Sequence, residues 1–133
     1  MFYEPKNGHP FKIDPYKALV FPRPIGWISS LSKQGIPNLA PYSYFNAVAD
    51  EPPQVMFCSN GDSAYGGFKD SLSNILSTKE FVVNFATSTT RDAMNISSSN
   101  YKPNEDEFVA AKLKKRKHRI LENFGHLVDV FEP

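Results

Sequence analysis

Proline constrains the fold of this chain more than any other residue, because 11 prolines are spread over 133 residues that include only 7 glycines. A proline inside a helix removes a hydrogen bond and clashes with the preceding turn, so a helical bundle is disfavoured. Aromatic residues make up 14% of the chain and supply large side chains for a core. The sequence therefore predicts a single domain that is mostly β, with short helices and rigid connections.

The predicted elements lie between clusters of turn-forming residues. A first strand begins near Ile25, and the turn over residues 32–35 ends at Gly35, which can adopt a positive φ. A second strand is predicted over residues 37–49. The remaining predictions are a strand over 54–59, a helix over 69–78 with Asp70 or Ser71 as its cap, a buried strand over 80–86 and a short helix over 91–96.

The two ends of the chain differ from this pattern. Residues 1–16 are predicted to be irregular, because prolines interrupt them repeatedly. Residues 112–133 begin with a basic run that is typical of a solvated segment. The apolar residues between 121 and 131 fit one short helix or one strand, and the sequence does not decide between them. We expect one domain over residues 1–133.

Charge and cysteine content exclude several functions. The formal net charge is +1, and the basic run at residues 112–119 is not interleaved with the aromatic residues. This arrangement disfavours a nucleic-acid partner, whose binding would be strongly salt-dependent. Cys58 is the only cysteine, so neither an intrachain disulfide nor a zinc cluster is expected. Because the sequence has no signal peptide and no long apolar run, we expect a cytoplasmic protein without a membrane partner.

Common catalytic and nucleotide-binding motifs are missing from the sequence. It has neither a GxGxxG motif after a strand nor a GxxxxGK[ST] phosphate loop. The 3 histidines have no acidic or cysteine partner at metal-ligand spacing, so no metal site is expected. A Ser-His-Asp hydrolase would need one of these histidines, and His118 and His126 both lie in the basic tail. A hydrolase is therefore disfavoured.

Small hydroxyl and amide side chains lie next to aromatic rings on the predicted strands. They are Ser29, Ser30, Ser43, Tyr44, Asn46, Ser59 and Asn60. Lys69, Asp70 and Ser71 begin the predicted helix, and a helix start with free N–H groups and a lysine can bind a phosphate. Together these residues suit a phosphorylated planar cofactor. The simpler alternatives are an ordinary helix start and a Trp27 side chain that belongs to the core.

Four runs of the sequence occur in the order of a known family. They are RPIGWISSLSKQGIPNLAPYSYFNAVADEPPQVMF (residues 23–57), KDSLSNI (69–75), EFVVNFAT (80–87) and AMNISSSNYKPNEDEF (93–108). This series resembles the flavin reductase-like, FMN-binding split-barrel family. The resemblance implies a split β-barrel with a Greek-key-like order of strands, which binds FMN near the interface of a homodimer.

The resemblance also implies a function. Members transfer electrons from NADH or NADPH to flavin, and the reduced flavin serves a partner oxygenase; other members keep FMN bound as electron carriers. Since the flavin supplies the electron chemistry, no side chain is expected to be catalytic. By position, the resemblance assigns Ser43, Tyr44 and Asn46 to the isoalloxazine and ribityl chain, Ser59, Lys69, Asp70 and Ser71 to the phosphate, Trp27 and Ser29 to the pocket wall, and Asn95 to the substrate side.

Residues 112–133 do not resemble the family, in which further strands after residue 108 close the barrel. An open barrel leaves strand edges that can pair with another chain, so we expect a dimer to cover them. The second reading of the sequence is a non-catalytic, truncated barrel that acts as an interaction module without bound flavin.

Overall fold

A computed structural model describes residues 3–13, 15–115 and 128–130 of the chain. The strands are β1 (Gly26–Leu31), β2 (Pro37–Tyr42), β3 (Phe45–Asp50), β4 (Pro53–Phe57), β5 (Val82–Phe85) and β6 (Val128–Val130). The helices are α1 (Pro15–Leu19), α2 (Asp70–Thr78), α3 (Arg91–Ile96) and α4 (Glu107–Ala110), with a 3-10 turn at Pro5–Asn7. The prediction of a mostly β fold with short helices is confirmed.

The strands form two sheets. The larger sheet has the order β2-β1-β5-β6, and the smaller one is the β3-β4 hairpin. Strand β1 pairs antiparallel with both of its neighbours, so that Trp27 lies opposite Pro41 on one side and Asn84 on the other. Strand β6 pairs in parallel with β5. The β3-β4 ladder shifts register between Ala47 and Ala49, which marks a bulge.

The β1-β2 hairpin forms as its turn residues predict. Gly35 has a φ of 78°, a conformation that glycine adopts without steric cost. The Ser32 hydroxyl accepts hydrogen bonds from the main-chain N–H groups of Gln34 and Ile36, at 3.2 and 3.0 Å. The turn therefore sets the register that brings Leu31 opposite Pro37.

Alternation along β1 places consecutive side chains in two separate cores. Trp27 packs with Leu39 and Phe108, and Ile28 packs with Tyr42 and Val83. Helix α3 contributes to the first core through Ala93 and Met94, and helix α2 contributes to the second through Ile75. Strand β1 thus contributes to both cores, of which one packs against α3 and the other against α2.

The predicted strand over residues 37–49 is wrong in one respect, because it is two strands that lie in different sheets. The chain bends at Ser43 and Tyr44, where the Tyr44 carbonyl accepts a hydrogen bond of 2.9 Å from the Cys58 N–H. The bend packs the Phe45 ring against Gly26, where a Cβ would lie 2.4 Å from Phe45 Cδ2. Tertiary packing therefore ends β2 at Tyr42 although the residues beyond it favour a strand.

Three further predictions were wrong: two concern helices in segments predicted to be irregular, and one concerns the cap of α2. Residues 1–16 hold the turn at Pro5–Asn7 and the start of α1, since proline is accepted in the first turn of a helix. The polar sequence of residues 97–107 predicts a loop, but this segment ends in α4, whose cap is Asp106. Neither Asp70 nor Ser71 caps α2: the cap position is Lys69, and no side chain in the described part of the molecule makes the capping hydrogen bond.

Most of the basic tail lies outside the described residues. Residues 128–130 form a strand, so for these three positions the strand alternative holds. No helix among residues 3–13, 15–115 and 128–130 is long and apolar enough to cross a membrane.

Candidate functional site

A cavity of about 150 Å³ lies where the start of α2 meets β2 and the loop that follows α3. We call it the α2 cavity. Its walls are formed by residues of β2, the loop before α2, the start of α2, the loop after α3 and the start of α4. They include Asn38, Tyr42, Ser63, Tyr65, Lys69, Asp70, Ser71, Ser98, Tyr101 and Glu107. Polar groups from five separate segments therefore converge on one space.

The start of α2 forms part of the wall of this cavity. The first N–H groups of a helix have no acceptor within the helix, and a side-chain cap usually supplies one. At α2 the cap position is Lys69, and among the described side chains none makes that hydrogen bond. The partial positive charge of the helix and the Lys69 ammonium both favour an anion here, while the Asp70 carboxylate opposes one.

A buried row of polar side chains fixes the first turn of α2 to β2. Ser71 Oγ donates to Asn38 Oδ1 at 2.9 Å, and Asn38 Nδ2 donates to Glu107 Oε1 at 3.3 Å. The other carboxyl oxygen, Glu107 Oε2, accepts from the Leu39 N–H at 3.2 Å. Ser71, Asn38 and Glu107 are all buried, so each hydrogen bond replaces one that water would make.

Burial raises the pKa of two of the titratable groups in the wall, Glu107 and Tyr42. It raises the pKa of the Glu107 carboxyl above its ordinary value, the hydrogen bond from the Leu39 N–H lowers that pKa, and the nearby Asp70 and Asp106 carboxylates raise it. Burial also raises the pKa of the Tyr42 hydroxyl, and the facing hydroxyls of Ser71 and Ser59 act in the opposite direction. Tyr42 is thus a neutral donor beside the start of α2.

Ser59 leaves a polar atom unsatisfied next to Tyr42. Its Oγ is buried and has no hydrogen-bond partner of good geometry within the described residues. The Tyr42 ring packs on Phe57, two positions before Ser59, at a centroid distance of 4.8 Å. A ligand group that bonds this buried hydroxyl with better geometry than Tyr42 does would therefore be favoured there.

The structure brings together four of the residues predicted to bind a ligand. Lys69, Asp70 and Ser71 line the α2 cavity, and Ser59 faces Tyr42 in its wall. Sequence reasoning missed Asn38, Tyr42 and Glu107. The only signals for them were a polar residue inside an apolar strand for Asn38 and an acidic residue next to a core phenylalanine for Glu107.

A second group lies at the bend between β2 and β3. Arg23 Nε donates to Ser43 Oγ at 3.3 Å, and the Arg23 guanidinium lies 5.3 Å from the centre of the Tyr44 ring. Tyr44 also stacks on Tyr16 of α1 at 6.3 Å. Asn46 is exposed on β3, opposite Met56. These residues do not line the α2 cavity.

The remaining predicted residues lie elsewhere. Trp27 is fully buried in the core. Ser29 accepts a hydrogen bond of 3.1 Å from Asn84 Nδ2 and lines a separate cavity of about 340 Å³ beside β5. Asn95 is exposed on α3. In the single chain the predicted residues therefore form one group at the uncapped start of α2 and one at the bend between β2 and β3, while Trp27, Ser29 and Asn95 belong to neither.

The chain matches one protein-family model and several curated proteins. Residues 18–127 match the model of the flavin reductase like domain. A curated but uncharacterised protein of Aquifex aeolicus is 48% identical over 97 residues, which are 72% of this chain and 48% of that protein. An uncharacterised protein of Deinococcus radiodurans is 41% identical over 98 residues, or 70% of this chain and 42% of that protein.

Solved structures agree on the fold. Nitrilotriacetate monooxygenase component B from Bacillus cereus superposes with a TM-score of 0.78 at 34% identity, covering 91% of this chain and 60% of that one. This chain spans about half the length of the curated relatives, at 48% and 42%. The match to a protein with a split-barrel domain from Shewanella frigidimarina, at a TM-score of 0.62 and 19% identity over 74% of this chain and 46% of that one, shows that the fold is of the split-barrel type.

Proposed function

The chain belongs to the flavin reductase-like family, and from this premise we propose that it is an FMN-binding oxidoreductase. Its activity is either the NAD(P)H-dependent reduction of flavin or electron transfer as a flavoprotein. The observation that carries the proposal is the uncapped start of α2, which faces a polar cavity beside Lys69. Main-chain donors of this kind bind phosphate groups.

The residues present fit the phosphate end of FMN. The N–H groups of the first turn of α2 would hold phosphate oxygens, and the Lys69 ammonium would neutralise their charge. The unsatisfied Ser59 hydroxyl and the neutral Tyr42 hydroxyl provide further hydrogen bonds beside them. Ser71 would contribute through its main-chain N–H, since its hydroxyl is bonded to Asn38.

The rest of the cofactor would extend from α2 toward the bend between β2 and β3. There we assign Ser43, Tyr44 and Asn46 to the isoalloxazine and ribityl chain, with Arg23 holding the bend in place. Bound flavin would supply the hydride chemistry, so the chain needs only to orient it and leave one face open. We assign Asn95 to that open side, with Ser29 and Trp27 supporting the sheet behind it.

A homodimer is part of this proposal. Large apolar side chains are exposed on the N-terminal segment and on the β3-β4 hairpin, among them Leu19, Phe21, Val48 and Met56. Exposed apolar surface of this extent is typical of an interface. A second subunit would cover it and enclose the flavin. A partner oxygenase fits the same proposal, because one similar protein is component B of a monooxygenase.

Titration of the purified chain with FMN tests the proposal. We expect the flavin fluorescence to be quenched at micromolar concentrations, and NADH or NADPH oxidation to be stimulated by flavin. A folded chain that quenches no flavin would instead support the second candidate, a non-catalytic barrel that acts as an interaction module. Bound flavin without NAD(P)H oxidation would indicate an electron carrier.

A further inference from the structure

The cavity of about 340 Å³ lies where β1 and β5 separate, and we call it the β5 cavity. The two strands pair as far as Ser29 and Val82, whereas β1 continues to Leu31 beside β2. The space that opens between them is bounded by the turn after β1, the end of α2 and the start of β5. Its wall includes Ser29, Leu31, Lys33, Pro37, Glu80, Phe81, Val82, Asn84, Phe108 and Lys115.

The body of the β5 cavity is apolar. Phe81 and Phe108 contribute aromatic rings, and Leu31, Pro37 and Val82 contribute aliphatic groups. Phe108 and Val82 are 5% and 4% exposed, so close packing fixes these two walls. A volume of about 340 Å³ lies within the range of small-molecule sites. These walls suit a ligand with a flat body of two rings.

Ser29 offers a hydrogen-bond donor to this cavity. The Trp27 carbonyl only accepts, so Asn84 Nδ2, at 2.9 Å from it, is the donating end of that amide. The same NH₂ group donates to Ser29 Oγ at 3.1 Å. Ser29 is half-buried, lines the cavity and has no acceptor for its own proton among the described residues. Its hydroxyl can therefore donate to a ligand in the cavity.

Positive charge lies at the rim of the β5 cavity. Lys33 is exposed in the turn of the β1-β2 hairpin, and none of the ion pairs in the described part of the chain includes it. Lys115 also lines the cavity and pairs with Asp106. Glu80 is the one carboxylate among the described lining residues. Two ammonium groups against one carboxylate favour an anionic ligand group at this rim.

We propose that the β5 cavity binds a flat amphipathic carboxylate. The apolar rings of the ligand pack against Phe81 and Phe108, its carboxylate lies at Lys33, and an oxygen at its other end accepts from the Ser29 hydroxyl. Aromatic acids of two rings have this chemistry. The site is separate from the α2 cavity, because the two share none of their described lining residues. The inference therefore does not depend on where flavin binds.

Calorimetric titration with two probes tests the proposal at about pH 7, where a carboxyl group in water is ionised. 6-Hydroxy-2-naphthoate carries two rings, a carboxylate and a hydroxyl that can accept from Ser29, whereas 2-naphthol lacks the carboxylate. The ratio of their dissociation constants therefore reports on the charged end. We expect the wild-type chain to bind the carboxylate about fivefold more tightly than 2-naphthol, as a partly exposed ion pair provides.

Two variants separate the charged end from the hydroxyl end. Lys33→Gln should bring the ratio close to one and leave the affinity for 2-naphthol unchanged; Lys33 is exposed, so this variant keeps the fold. Ser29→Ala should weaken both probes by about fivefold, because both carry the hydroxyl. Lys17→Gln is the matched control, since Lys17 is exposed on α1, among the exposed apolar side chains of the N-terminal segment. Its ratio should equal that of the wild type.

Equal affinities of the wild-type chain for the two probes overturn the inference, as does a folded chain that binds neither. A ratio that falls equally in Lys17→Gln and Lys33→Gln overturns it as well, because the probes would then lie on the N-terminal apolar surface. Excess FMN should not displace 6-hydroxy-2-naphthoate, and displacement would overturn the separation of the two sites. A chain that binds this probe and no FMN overturns the proposed function alone.

Discussion

Trp27 Nε1 donates a hydrogen bond of 2.9 Å to Ser97 Oγ, across 70 positions of the chain. Ser97 Oγ in turn donates to the Met94 carbonyl at 2.8 Å. Trp27 and Ser97 are 0% and 1% exposed. Because Ser97 and the loop after it line the α2 cavity, this bond joins the core of β1 to the wall of the candidate site.

Replacement of Trp27 by phenylalanine should destabilise the chain. The smaller ring leaves a void, and Ser97 Oγ loses the donor that approaches it. We expect a loss of about 1–3 kcal/mol in the free energy of unfolding, measured by denaturant titration. In a double-mutant cycle with Ser97→Ala, the two losses should be less than additive. Fully additive losses would show that the bond between Trp27 and Ser97 carries no stability.

Gly26 should not tolerate a side chain. A Cβ there would lie 2.4 to 3.0 Å from three carbons of the Phe45 ring, so Gly26→Ala must displace the ring. We expect a destabilisation of about 1–3 kcal/mol, which is typical of overpacking. Phe45→Leu in the same chain should recover part of that loss. Equal stability of Gly26→Ala and wild type would mean that β3 does not pack on β1 in this way.

The stability of the chain should depend on pH through Glu107. Its pKa is higher in the folded chain than its ordinary value, so folding shifts this carboxyl toward its protonated form. The stability due to this group is present below the ordinary pKa of 4.5 and is lost as pH rises through the raised value. The difference in unfolding free energy between wild type and Glu107→Gln should therefore fall with rising pH. A difference that grows with pH would contradict the burial of this carboxyl.

Lys69 should contribute to binding FMN and not riboflavin. Removal of its charge in Lys69→Gln should weaken FMN binding by about tenfold and leave riboflavin binding unchanged. The difference should shrink at high salt, because Lys69 is only partly buried. Lys33→Gln is the matched control, since Lys33 carries the same charge in the turn of the β1-β2 hairpin. If both substitutions weakened FMN binding equally, the loss would come from the net charge of the chain and not from a phosphate site at Lys69.

Local signals in the sequence were sufficient for some elements. The turn from Ser32 to Gly35 and the helix Arg91–Ile96 depend on neighbouring residues, and both form where predicted. The bend at Ser43 and Tyr44 depends on the Phe45 ring meeting Gly26 from another strand. No short-range pattern encodes that contact, so the sequence predicted one strand instead of two.

The candidate site was predicted only in part for the same reason. Lys69, Asp70 and Ser71 are neighbours in a recognisable helix start, which made them visible. Asn38 and Glu107 meet across 69 positions, and Asn38 meets Ser71 across 33. Their polarity points to a site only once the structure shows that they are buried and must supply hydrogen bonds to one another. The structure was therefore needed to show how the start of α2 is held.

The most direct test of the account is a comparison of FMN and riboflavin binding by the purified wild-type chain. If the start of α2 binds the phosphate, FMN quenches at micromolar concentrations and riboflavin binds at least several-fold more weakly. Equal affinities for the two flavins, or no binding of either by a folded chain, would contradict the account.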